Sequence, residues 1–305
     1  MKLRHRALMA ATPFAVALAT PGLAAAAEEF KPDSEFDISE PLIGPSFELF
    51  GIDLSLNKAV LYVILAGILT VGTLVLIARK MQASPTGRAQ TVVEWAYEFV
   101  DSTIVNDNVK DRKTALKWFP FIATLFFFIW FSNILGYLPL PTNTHHPFEV
   151  AGVEVPQFAL FAATANISMP LILALVVWIS YNVVGIRKHG PIGYVKSLVP
   201  SGLPWWILPL MYPIEILSHF VRLISLSLRL YANILAGHLL ILFMAGGLVV
   251  LLEPGIAAAG VLGLLTAAVA VIFFLFELTL VSALQAFIFS TLTAIYIGGA
   301  VAEEH

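Results

Sequence analysis

In the last third of the chain a few polar side chains stand in surroundings that are otherwise apolar. Beyond Lys196 the only lysines or arginines are Arg222 and Arg229, both inside the apolar run Pro204–Leu252, where His219 and His238 accompany them. An arginine at the centre of a bilayer costs at least ~2.5–3.5 kcal/mol, so it must face protein or water, and it marks a functional site by default. At about 100° per helical residue, with Arg229 as origin, Asn233 and Glu215 fall near +40°, Arg222 near +20°, Ser218 near −20° and Ser225 near −40°. These residues share one stripe, and His238 lies on the opposite face. The final apolar run, Pro254–Ala300, holds a single acid, Glu277, and a single amide, Gln285, close to Thr279 and Ser282. The two runs are consecutive and antiparallel, so His238 and Glu277 reach a common depth. Each can tune the other's pKa, and such a pair can pass protons. Glu215 stands alone toward the other end. A polar stripe can also be a packing seam between helices, but packing does not require an arginine at mid-membrane.

The elements that carry these residues follow from composition. The chain has 305 residues, 59% hydrophobic and 12% charged, with a mean hydropathy of +0.87. A soluble domain carries about 25% charged residues, so this chain lacks the polar surface of a soluble enzyme, a disordered protein or a nucleic-acid binder. It has no cysteine, which excludes disulfides and thiolate metal sites. The composition predicts an all-α polytopic membrane protein. A crossing needs ~20 mostly apolar residues, and the runs at 59–78, 119–140 and 158–186 supply three. The stretches 204–252 and 254–300 are each far longer than a ~30 Å hydrocarbon core requires. The simplest arrangement is a C-terminal hairpin of two long, steeply tilted helices, making five crossings in a membrane domain over 57–305. Between the first two spans, residues 88–104 place Val92, Val93, Ala96, Phe99, Val100 and Ile104 at helical spacing, as in an amphipathic surface helix.

Residues 1–27 read as a signal peptide, with basic Lys2, Arg4 and Arg6, an apolar middle and the alanines Ala24 to Ala27. Residues 28–56 are then an acidic extracytoplasmic arm. Arg79, Lys80, Arg88, Lys110, Arg112, Lys113 and Lys117 fall in the first loop between spans, and Arg187, Lys188 and Lys196 after the third. The segment Pro141–Gln157 has no lysine or arginine. Because basic residues accumulate in cytoplasmic loops, the mature N-terminus is expected outside and the C-terminus in the cytoplasm.

The run Ser225-Leu-Ser-Leu-Arg229-Leu-Tyr-Ala-Asn233-Ile-Leu-Ala-Gly237-His238 resembles the signature of subunit a of the F-type ATP synthase, as does Leu284-Gln285-Ala-Phe-Ile-Phe289 followed by Leu292-Thr-Ala-Ile-Tyr296. Asn133-Ile-Leu-Gly-Tyr-Leu-Pro139 is similar to the family's second-span motif, and Asn166 to its third-span asparagine. The resemblance runs from about Leu54 to the C-terminus. It implies a stator subunit in the bacterial plasma membrane that conducts ions without being an enzyme. Its implied partners are a ring of c subunits, peripheral-stalk b subunits, other ATP synthase subunits and membrane lipid. Arg229 then corresponds to the stator arginine facing the ring. Asn233, His238, Glu277 and Gln285 correspond to the extracytoplasmic half-channel, and Glu215 and Ser218 to the cytoplasmic one. No cofactor, metal or nucleic acid is implied. In the family pattern the polar residue of the last helix stands seven before the glutamine, whereas Glu277 stands eight before Gln285, about 80° round the helix instead of ~20°. Gly136 and Thr164 occupy positions where some members carry aspartates, which leaves His145, His146 or Glu149 as candidates for the outer aqueous route. Proton and sodium coupling stay open, because the selective carboxylate would sit on the c subunit.

Two other classes compete. A secondary transporter could use a midplane arginine to bind an anionic substrate, but it would be expected to show inverted repeats and interrupted helices. The sequence has no internal repeat, and five spans cannot divide into equal halves. An intramembrane metalloenzyme using His219, His238 and Glu277 lacks both an H-E-x-x-H motif and ligand spacing.

Overall fold

The computed structural model describes residues 48–49, 52–53, 55–80, 88–150, 153–199, 203–251 and 256–302. The expected signal peptide lies outside the described residues. Of the N-terminal arm, β1 (Glu48–Leu49) and β2 (Ile52–Asp53) pair as a short antiparallel ladder. Among the described residues five helices are long and apolar enough to cross a membrane, and the protein is an all-α polytopic membrane protein to which small β-hairpins are added.

The helix α1 (Lys58–Lys80) is 23 residues long, about 35 Å at 1.5 Å per residue. The surface element begins as α2 (Arg88–Glu98) and widens into a π-helical segment over Phe99–Asn106. It docks on its own chain through aromatic rings, with Tyr97 on Phe119 at 4.8 Å and Phe99 on Phe126 and Phe287 at 5.7 and 5.9 Å. Next comes α3 (Arg112–Gly136). It starts earlier than hydropathy suggests because Asp111 caps it, accepting from the backbone N–H of Lys113 and Thr114 and from the Thr114 hydroxyl. Those bonds to the charged form hold the Asp111 carboxyl below its usual range.

Helix α3 ends at Gly136 because the chain enters an antiparallel hairpin, β3 (Leu140–Val150) with β4 (Val153–Ala159), whose register shifts twice between Pro141 and Phe148. This hairpin, which carries His145, His146, Glu149 and Glu154, was legible only as a loop without basic residues. It also consumes the start of the apolar run read as a span at 158–186. After a 3₁₀ turn at Ala163–Ala165, α4 (Ser168–Ser197) begins ten residues later than that run. It continues beyond Arg187-Lys188 to Gly190, whose φ of +72° is a left-handed conformation that glycine adopts without a Cβ penalty. The last turns then fold back so closely that a Cβ at Gly185 would meet the Tyr194 ring.

Pro213 does not break the first long apolar stretch. α5 (Leu208–Leu251) is one helix of 44 residues with Pro213 inside it. α6 (Ile256–Phe276) runs through a π turn (Glu277–Val281) into α7 (Ser282–Val301). At about 66 Å for α5, neither stretch can stand upright in a ~30 Å core.

The described chain divides into two compact units, one drawn from residues 38–235 and 278–305 and the other containing 236–277. In the first, Tyr62, Ala66, Leu135, Phe161 and Ala163 form a buried cluster, with the Tyr62 and Phe161 rings edge-on at 5.5 Å. α7 buries Ser282, Ala286, Ser290, Thr293 and Ala294. Such small residues let helix backbones approach closely where lipid offers no hydrophobic drive. Gly298 completes that face, since a Cβ there would meet the Asn108 carbonyl.

Candidate functional site

The α5 stripe divides into an open part and a half-buried part. Ser225, Arg229 and Asn233 are exposed on the surface of this chain. Arg229 makes no hydrogen bond or ion pair among the described residues, although its charge reaches Tyr296. The other face of the same helix is buried through Leu226, Leu230 and Ile234. An arginine in a membrane-length helix is expected to face protein or water rather than lipid.

The half-buried part is satisfied internally. Arg222 Nη2 donates to Glu215 Oε1 at 3.1 Å, and its guanidinium lies 5.7 Å from the centre of the Tyr296 ring. Arg222 is thus paired within its own chain. Ser218 is half-buried beside them. His219, left out of the stripe, is buried and lies 3.0 Å through Nδ1 from the Tyr181 hydroxyl of α4. Tyr194 donates to Asn182 Oδ1 at 2.9 Å.

In the other unit His238 is 2% exposed and Glu277 8%. Glu277 packs against Gly237, the residue before His238: a Cβ at Gly237 would stand 2.5 Å from the Glu277 carboxyl carbon and closer still to Oε2. Glu277 opens the π turn. A π turn takes up one extra residue for the same rotation. Eight residues that include it therefore complete about the rotation of seven in an α-helix, roughly two turns. The eight-residue interval to Gln285, a departure in the sequence, is absorbed by the helix itself. Gln285 is buried, 4% exposed, on the packed face of α7.

The sequence matches the family model described as "ATP synthase A chain" over residues 60–298. The chain belongs to this family. It is 34% identical to ATP synthase subunit a of Maricaulis maris over 279 residues, covering 90% of this chain and 98% of the relative. It is 38% identical to ATP synthase subunit a of a Nocardioides species, covering 90% and 95%. With ATP synthase subunit a of Pseudarthrobacter chlorophenolicus the identity is 36%, covering 95% and 100%.

In this member of the ATP synthase A chain family, Gly136 and Thr164 both stand in close packing. A Cβ at Gly136 would stand 2.8 Å from the Cα of Ala162, which leaves no room for a carboxylate. Thr164 instead donates to Asn133 Oδ1 at 2.9 Å, and Asn133 Nδ2 donates to the Ser282 carbonyl at 3.4 Å. This buried bridge joins the end of α3 to the first residue after the π turn. Asn166 accepts from the Ser168 backbone N–H at 3.0 Å and so shapes the start of α4. Tyr181 and Tyr194 were not singled out from sequence, and His219 was noted there without a part in the leading reading. The available signal was a histidine inside an apolar run, with tyrosines near the ends of two other spans.

Proposed function

We propose that this chain is the ion-conducting stator subunit of the membrane sector of an F-type ATP synthase, non-catalytic itself and seated in a bacterial plasma membrane. The observation that carries this is Arg229, exposed on the chain's own surface and without a carboxylate among the described residues. A ring of c subunits turning past α5 would present one carboxylate after another to it. The guanidinium lowers the pKa of each arriving carboxyl, which favours release of its proton into the path toward the cytoplasm. It also repels a proton trying to cross directly between the two aqueous paths. Arginine suits the task because its guanidinium keeps its charge even in apolar surroundings.

In this reading His238, Glu277, Asn233 and Gln285 serve the extracytoplasmic half-channel, and Glu215 and Ser218 the cytoplasmic one. The basic loops face the cytoplasm, and peripheral-stalk b subunits hold the chain against the rotating ring. Family membership supports the assignment, and so does the burial of titratable His238 and Glu277 within an apolar helix pair. The test is ATP-driven proton pumping by the complex reconstituted in vesicles. Arg229→Ala should abolish pumping while the complex still assembles, and Arg229→Lys should lower it at least about tenfold. Arg222→Ala, whose side chain is already paired with Glu215, should keep a substantial fraction. Wild-type pumping by assembled Arg229→Ala would overturn the assignment.

A further inference from the structure

The same unit that carries Arg229 encloses a second polar feature, to which the family motifs assign no role. A cavity of about 360 Å³ is lined by Tyr181 and Tyr194 of α4, His219 and Arg222 of α5, and Tyr296 of α7, with Ser197 at its edge. At about 30 Å³ per molecule, it has room for on the order of ten waters. It lies at the ends of α4, α5 and α7 that the loop charges assign to the cytoplasm. Within it, the imidazole is that of His219. His219 is 8% exposed, and its Nδ1 is 3.0 Å from the Tyr181 hydroxyl. The Tyr181 and His219 rings are 5.5 Å apart, and the Tyr181 and Tyr296 rings 5.6 Å. The other titratable or charged groups facing the cavity are Tyr194, Arg222 and Tyr296, and Glu215 reaches it through its ion pair with Arg222.

We propose that His219, held by Tyr181, is a proton-relay group of the cytoplasmic half-channel, taking protons from and giving them to water in this cavity; the proposal rests on the stator reading above. The pair can do this because it has two arrangements. When the imidazole is neutral, the Tyr181 O–H donates to Nδ1 and the ring proton sits on Nε2. When a water proton arrives at the Tyr181 oxygen, the hydroxyl's own proton passes to Nδ1. The imidazolium then donates from Nδ1 to Tyr181, and releasing the Nε2 proton restores neutrality. One proton enters and one leaves; the ring is left as its neutral Nδ1–H tautomer. Returning the Nδ1 proton to Tyr181, as its hydroxyl proton goes to water and Nε2 takes one from water, resets the pair with no net change. The fixed Arg222–Glu215 pair contributes no net charge beside it. Tyr181 is the positioning residue, since it fixes which ring nitrogen is engaged. Gly185 supports it indirectly by making room for Tyr194, the neighbouring wall of the cavity.

The test uses the whole ATP synthase in inverted vesicles, with ATP-driven pumping measured from about pH 6 to 8.5 in the medium, which bathes the cytoplasmic face. Dividing each variant's rate by the wild-type rate at the same pH cancels the pH dependence of the rest of the complex. His219→Gln keeps an acceptor for Tyr181 but cannot titrate. Its ratio should fall at least threefold toward the alkaline end, where protons are scarce and a collecting group matters most. Tyr181→Phe, which keeps the ring, should tilt the ratio in the same direction by a smaller factor. Ratios flat within about 1.5-fold for an assembled His219→Gln complex would overturn the relay. If that variant does not assemble, a flat Tyr181→Phe ratio overturns it. Arg229→Ala runs alongside. Pumping retained there defeats the stator reading, whereas pumping lost there with a flat His219→Gln ratio defeats the relay alone.

Discussion

Glu277 is placed by what its neighbour lacks. Gly237 leaves the space that the carboxylate fills, and the side chain next to it is His238. A methyl at 237 would meet the far end of a flexible side chain, so the cost falls on where Glu277 points more than on whether the helices pack. Gly237→Ala should therefore assemble normally and slow ATP-driven pumping several-fold. Added to Glu277→Gln it should do little further harm, because both changes act on one carboxylate; additive losses would separate the two positions. Exchanging the titratable pair, with His238→Glu and Glu277→His together, should recover part of the flux lost in each single change. A double variant as poor as the worse single would show that they do not act as a unit.

Among the elements, the π turn of Glu277–Val281 and the cap of α3 have separable consequences. The π turn reconciles an eight-residue interval with a helix face that seven residues would reach. Deleting Leu280 should convert it to regular α-helix and keep pumping within about twofold, since the face of Glu277 is preserved. Inserting an alanine after Leu280 turns that face by about 100° and should remove most of the activity. Equal damage from both would mean that the π turn has a role of its own. The cap makes a pH prediction. The folded pKa of Asp111 is depressed by its bonds to Thr114 and Lys113. Its contribution is therefore present above the unfolded carboxylate pKa and is lost as pH falls through the lower folded value. In thermal unfolding of the detergent-solubilised chain, Asp111→Ala should lower Tm at neutral pH, and its gap from wild type should narrow under acid. Asp111→Asn, also a good cap, should stay near wild type at neutral pH. A gap that does not change with pH would assign the Asp111→Ala loss to something other than the carboxylate.

For the molecule as a whole, the loop charges predict an orientation that can be tested chemically. The native chain has no cysteine to interfere with labelling. Single cysteines at Thr144, on β3, and at Lys188, near the end of α4, should react with an impermeant maleimide from opposite sides of sealed vesicles. Labelling of both from one side would sink the five-crossing topology.

The membrane class, the long apolar helices, the amphipathic element and the polar stripe around Arg229 are all legible in the sequence. They rest on hydropathy, charge and helical period, which are properties of contiguous residues. The sequence also flagged the odd spacing of Glu277 and Gln285, but not how a helix would absorb it. Whether a chain inserts a π turn or rotates one side chain out of line depends on what packs against it, here Gly237 and, just after the turn, Asn133. The β3–β4 hairpin was invisible because its pairing joins residues whose apolar pattern passes equally for the start of a span. The partnership of His219 with Tyr181, 38 residues away, was beyond sequence for the same reason. Periodicity says which face of a helix is apolar, but only the packing of α4 and α7 against α5 sets the rotation and sliding that bring one tyrosine to one histidine.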